Sequence, residues 1–154
     1  MTQVIRNIST LYDNDFVAWC EATAAKLRNK DLDGLDFENL IEEVENLARS
    51  DRRELKNRLV VLFAHLLKRI YVNLPENFNG WELTIIEQRQ QIKGLLQDSP
   101  SLKPYFLEIL SGTFENALEL VKSEYKQTEF PSKWQLDSDA NALLSQQYWL
   151  SQNH

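Results

Sequence analysis

Apolar residues recur at three- and four-residue intervals along four long stretches of the chain. The first opens at Thr10 with Asp13 three residues on, a capping-box arrangement, and carries Phe16, Trp19, Cys20, Thr23, Ala24 and Leu27 as one stripe to about Asn29. NKDLDGLD then breaks the pattern, with Gly34 as its punctuation. The second stretch predicts a helix from about Asp36 to Val72, through Ile41, Val44, Leu47, Ala48, Leu55, Leu59, Leu62, Leu66 and Ile70. Asp51 is the one polar interruption of that stripe, which leaves room for a kink or break near Ser50. NLPENFNG (73–80) reads as a loop.

The third predicted helix covers roughly Trp81 to Asp98, with Trp81, Ile85, Gln88, Ile92, Leu95 and Leu96 turned inward. Ser99 as N-cap and Pro100 in the first turn open a fourth, which runs through Leu102, Phe106, Ile109, Leu110, Thr113, Ala117, Leu120 and Val121 to about Lys126. A short helix follows around Asp139 to Gln147. Each long helix has one apolar stripe and needs partners to cover it. The expected fold is therefore all-α, an up-and-down four-helix bundle with a short extra C-terminal helical segment. One domain over 1–154 is expected, with 1–10 and 146–154 as loosely ordered ends.

Composition agrees with this picture. Four Gly and four Pro are too few for a turn-rich β-sandwich. The single cysteine, Cys20, has no disulfide partner within the chain, as expected in a reducing cytoplasm. MTQVIRNIST lacks the apolar core of a signal peptide, and no segment has the length of a membrane helix, so the expected location is cytoplasmic. A net charge of −6 argues against a general nucleic-acid binder.

The strings YDNDFVAW, LDFENLIEEVENLARSDRRELKNRL, LFAHLLK, WELTIIEQR, DSPSL and EFP stand in order along the chain. As a set, from about Leu11 to Trp134, they resemble the bacterial family catalogued as domain of unknown function 29. The resemblance implies a compact all-helical bundle. It maps the family's recurrent positions to Asp15, Phe16, Trp19, Glu42, Glu43, Glu45, His65, Lys68, Trp81, Thr84, Arg89, Ser99 and Pro100, and brings no established catalytic role to carry onto them. The chain departs from the family at KRIYVNLP after the histidine, and at SEYKQ.

Three constellations invite a chemical reading. Glu42 and Glu45 are neighbours on one helix face and form a candidate metal pair, which Glu115 or Glu119 of the fourth helix would complete for a metal-dependent hydrolase, with a nucleotide as the candidate substrate. On a straight helix His65 stands about 30 Å from Glu45 and cannot share that ion. Residues 31–45 hold seven acids and no base, so an acidic helix start accounts for the pair without a metal. Arg49, Arg52, Arg53 and Lys56 make one basic stripe, in which Glu45 precedes Arg49 by four residues. His65, inside LVVLFAHLLKRIY, reads as a neutral core histidine held by Thr84 or Glu87, because burial and the adjacent Lys68 and Arg69 disfavour its charged form.

Trp81, at the start of a helix, Arg89 and Lys68 complete the set of candidate pocket or interaction residues. No catalytic constellation and no cofactor motif emerges. The expected role is a protein-binding or self-assembly module, with a homo-oligomer or a protein partner, no membrane and no nucleic acid. The acidic block ahead of the basic block suits antiparallel pairing of two copies, and the apolar tail QLDSDANALLSQQYWL is available to dock on a partner or on the bundle.

Overall fold

A computed structural model describes residues 2–134 and 139–153, with the side chains of residues 8–134 and 139–150. The first residues of the tail, 135–138, and His154 lie outside the described residues. The fold is all-α: α1 (Thr2–Asn14), α2 (Phe16–Arg28), α3 (Phe37–Tyr71), α4 (Pro75–Asp98), α5 (Lys103–Glu124) and α6 (Ala140–Ser145), with 3-10 turns at Pro100–Leu102 and Tyr148–Asn153. The four long predicted stretches correspond to α2, α3, α4 and α5. Among the described residues no helix is long and apolar enough to cross a membrane.

Local chemistry moves several boundaries. The first helix does not open with a capping box at Thr10. α1 already runs through that position, and the chain breaks at Asp15, whose carboxylate accepts the Ala18 N–H at 3.1 Å and caps α2. Nor does Gly34 carry the turn after α2. Lys30 holds the left-handed backbone, at φ 58°, while its N–H reaches the Leu27 carbonyl and the Asp31 N–H reaches the Lys26 carbonyl. That pair of bonds is the Schellman ending of a helix, in which the left-handed residue is ordinarily glycine.

α3 stays helical through Ser50, without the break that Asp51 suggested. NLPENFNG is mostly helix rather than loop, because Pro75 occupies the first turn of α4, where its missing N–H costs nothing. At the fourth helix, Pro100 opens a 3-10 turn and Ser99 makes no side-chain cap, so α5 proper starts at Lys103 with Pro104 in its first turn.

The contacts divide the chain into two compact units, Met1–Ser50 and Asp51–His154. In the second unit α3, α4 and α5 run up, down and up. Arg58 reaches Gln88 and Arg69 reaches Glu82, which sets α4 antiparallel to α3; Phe63 meets Phe114 and Lys68 meets Glu124, which sets α5 parallel to it. Leu55, Leu59, Leu62, Leu66, Ile85, Ile92, Phe106 and Val121 fill the core, and α6 with Tyr148 and Trp149 closes its remaining side. The tail thus docks on its own bundle from Ala140 onward.

The first unit is thinner. α1 packs on α2, and the unit's buried residues among those described are Ile8, Trp19, Thr23 and Leu35. The stripe predicted for α2 is only partly buried: Trp19 and Thr23 are covered, whereas Phe16, Cys20, Ala24 and Leu27 are exposed.

Candidate functional site

Within the second unit, α3, α4 and the end of α5 bring together three of the residues singled out in the sequence. Lys68, whose side chain is largely covered, sits 3.7 Å from Glu124 and 5.8 Å from the centre of the Trp81 ring. Tyr125 meets the edge of that ring at 6.2 Å. His65, one turn back from Lys68, bonds through Nδ1 to the Val61 carbonyl at 2.8 Å, rather than to Thr84 or Glu87. The bond makes Nδ1 the protonated nitrogen of the neutral ring. Burial holds the His65 pKa below its usual 6.5, and the Lys68 charge lowers it further; the Val61 carbonyl and Glu124 pull the other way and are outweighed. Thr84 closes on its own helix, donating to the Gly80 carbonyl at 3.2 Å. The arrangement is a largely covered cation between an aromatic face and a carboxylate beside a neutral imidazole, which locks three helices together.

Arg89 belongs elsewhere. It is only 7% exposed, and its guanidinium donates to the Leu143 carbonyl at 2.9 Å and to the Gln146 carbonyl at 2.7 Å. Those carbonyls end α6 and have no partner within it. Arg89 is thus the clamp that holds the tail, and burial lowers its pKa. Arg69 helps from α3: it pairs with Glu82 at 3.0 Å, lies 3.7 Å over the Phe78 ring and 5.3 Å from the centre of the Trp149 ring. Beside the tail, Phe63, Leu110, Phe114, Trp134 and Leu143 line a cavity of about 420 Å³, rimmed by Ser111, Glu115, Ser132 and Lys133.

The acidic pair and the basic stripe stand in solvent. Glu42 and Glu45 are 56% and 58% exposed, and both pair with Arg49, at 3.1 and 3.6 Å. Arg49 also donates to Asn46 at 2.7 Å. Arg52 lies 5.9 Å from the centre of the Tyr105 ring, and Arg53 is exposed. Among the described residues no three His, Cys, Asp or Glu side chains gather as a metal-holding group.

The profile of the family described as Domain of unknown function DUF29 matches residues 11–149. The chain belongs to the DUF29 family. No curated protein matches it, and no solved structure does.

Trp19, Phe16 and Glu43 help to hold the first unit together. Trp19 donates through Nε1 to Asp36 at 3.3 Å, Asn39 donates to the same carboxylate oxygen at 2.7 Å, and the Tyr12 hydroxyl donates to Glu43. That last bond pushes the Tyr12 pKa up to about 12. Phe16 and Trp19 stack, and Tyr12 meets both edge-on, with ring centres 5.0 to 5.9 Å apart.

What sequence reasoning missed lies on the same unit. Ile41, Val44 and Leu47, assigned to the core by their spacing, are 55%, 59% and 71% exposed, and Phe37 one turn earlier is half exposed. Val17, Leu27 and Leu32 are exposed as well. Of the thirteen large exposed hydrophobics among the described residues, eight fall between Phe16 and Leu47. The unit's own polar contacts are made by Asp36, just ahead of α3, and by Asn39 and Glu43 within it, on a different side of the helix from Ile41 and Val44. Periodicity reveals that a helix has an apolar stripe; it does not reveal what covers it.

Proposed function

We propose that this DUF29 chain is a protein-binding module whose docking surface is the exposed apolar face of residues 16–48. The observation that carries this reading is the stripe of Phe37, Ile41, Val44 and Leu47 on α3, uncovered in the folded chain. Contiguous exposed apolar patches on soluble proteins mark interaction sites, whereas single exposed hydrophobics are ordinary. Each of these side chains is about half exposed, so finishing its burial gains on the order of 1 kcal/mol. Association costs roughly 4–15 kcal/mol in lost freedom, so a stable complex must cover most of the eight. The charged rim on α3 then selects the partner and its direction, since exposed ion pairs add little affinity.

A hydrolytic role for Glu42 and Glu45 calls for carboxylates drawn into a sheltered cluster. These two are exposed and tied to Arg49, so the arrangement does not favour that chemistry.

A photoreactive side chain placed at Val44 tests the binding reading. The expected product on irradiation is a covalent link to another polypeptide, seen as a band of higher mass. A link formed only within the same chain contradicts it.

A further inference from the structure

We infer that the partner is a polypeptide segment whose apolar face is bordered by lysines or arginines; the inference rests on the binding role proposed for α3. Residues 1–50 hold ten acidic and five basic residues, against thirteen and twelve in residues 51–154. The first unit, a third of the chain, therefore carries five of its six net negative charges, and the exposed stripe stands on that unit. The acids also border the stripe. At about 100° per residue, Phe37, Ile41 and Val44 lie within about 60° of one another, and Glu45, Glu38 and Glu42 follow on the side of Ile41 away from Leu47. All three carboxylates are exposed. Arg49 pairs with Glu42 and Glu45, at 3.1 and 3.6 Å, but one cation cannot balance three anions. Glu43, which meets Tyr12, leaves the helix from nearly the opposite side, so the stripe and its acidic border both point away from the unit's own contacts.

A partner laid along residues 37–48 meets an apolar strip about three turns long with acids along one edge. Bases on the matching edge of the partner find opposite charge there, whereas acids find their like, which costs. A second copy is the wrong occupant for this reason. Two copies paired antiparallel, stripe on stripe, set Glu42 against Glu42 and Glu38 beside Glu45. A basic segment without an apolar face does not suffice either, because exposed ion pairs are worth little each and salt screens them. The apolar stripe supplies the attraction; the acids select the partner.

Fluorescence anisotropy of two labelled synthetic peptides with the full chain tests this. Each peptide is an amphipathic helix of about 18 residues with the same leucine stripe, bordered by lysines in one and by glutamates in the other. The wild type is expected to bind the lysine peptide about tenfold or more tighter at low salt, and the ratio to shrink as salt rises. Ile41→Ser with Val44→Ser is expected to weaken both peptides about tenfold or more. Glu38→Gln with Glu45→Gln is expected to bring the ratio near one, and Glu38→Lys with Glu45→Lys to invert it. Equal affinity of the wild type for both peptides, or a preference that charge reversal leaves unchanged, overturns the inference. If the serine variant still weakens both peptides, the binding reading stands with a partner of other charge. A lysine peptide that keeps its affinity in the serine variant is held by net charge alone, and the inference and the binding reading then fall together. Binding of neither peptide overturns the inference, and photochemical linking at Val44 decides the binding reading by itself.

Discussion

Lys30 and His65 illustrate what single residues add to the fold and what they cost. Lys30 ends α2 in the left-handed region, where an L side chain is strained by roughly 1–2 kcal/mol and glycine is not. Lys30→Gly is expected to raise stability by about 1 kcal/mol in urea unfolding, less what glycine's freedom in the unfolded chain takes back. The sequence hides this turn because the one glycine nearby is Gly34, four residues beyond the left-handed position. His65 was legible as a neutral histidine, but its partner was not: a bond to a carbonyl four residues back leaves no long-range signature. Its folded pKa lies below 6.5, so between the two values the unfolded chain takes up a proton that the folded chain refuses. The stability it contributes is full above pH 6.5 and is lost as pH falls through that window. The unfolding midpoints of wild type should therefore drop on going from about pH 7.5 to about pH 5.5 by more than those of His65→Gln. Equal pH dependence in the two proteins would refute this.

The helices were readable as elements wherever stripe and punctuation agreed. α3 runs from Phe37 to Tyr71, within one residue of its predicted ends, because its apolar positions keep their spacing across Asp51. α4 starts inside the stretch that reads as a loop, because proline, common in loops, is also a start signal in a first helical turn. The short α6 could be located but its anchor could not, since Arg89 lies more than fifty residues away and grips backbone carbonyls, which have no sequence identity. Arg89→Met leaves those carbonyls without the guanidinium, and the expected cost is about 2–4 kcal/mol. Limited proteolysis between Ala140 and Leu150 should speed up in that variant. Arg89→Lys should not restore protection, because one ammonium does not reproduce the two-pronged geometry of the guanidinium.

At the scale of the molecule, the two units differ in how much of their apolar surface they cover. The unit of residues 51–154 buries a continuous core of leucines, isoleucines and aromatics. The unit of residues 1–50 is held by Trp19, Tyr12 and their carboxylate partners, and leaves eight large hydrophobics exposed among the described residues. All-helical architecture and family membership could be read from the strings and their order, and the family profile matches residues 11–149. The docking surface could not, because a stripe destined for a partner and a stripe destined for the core have the same period. The most direct measurement is the stability of the Ile41→Glu, Val44→Glu double variant in urea, at protein concentrations low enough to hold every chain apart. A surface kept for a partner predicts a change of no more than about 0.5 kcal/mol, as for solvent-facing positions. A loss of about 3 kcal/mol or more would mean that these side chains belong to the core of the single chain, and would contradict the account.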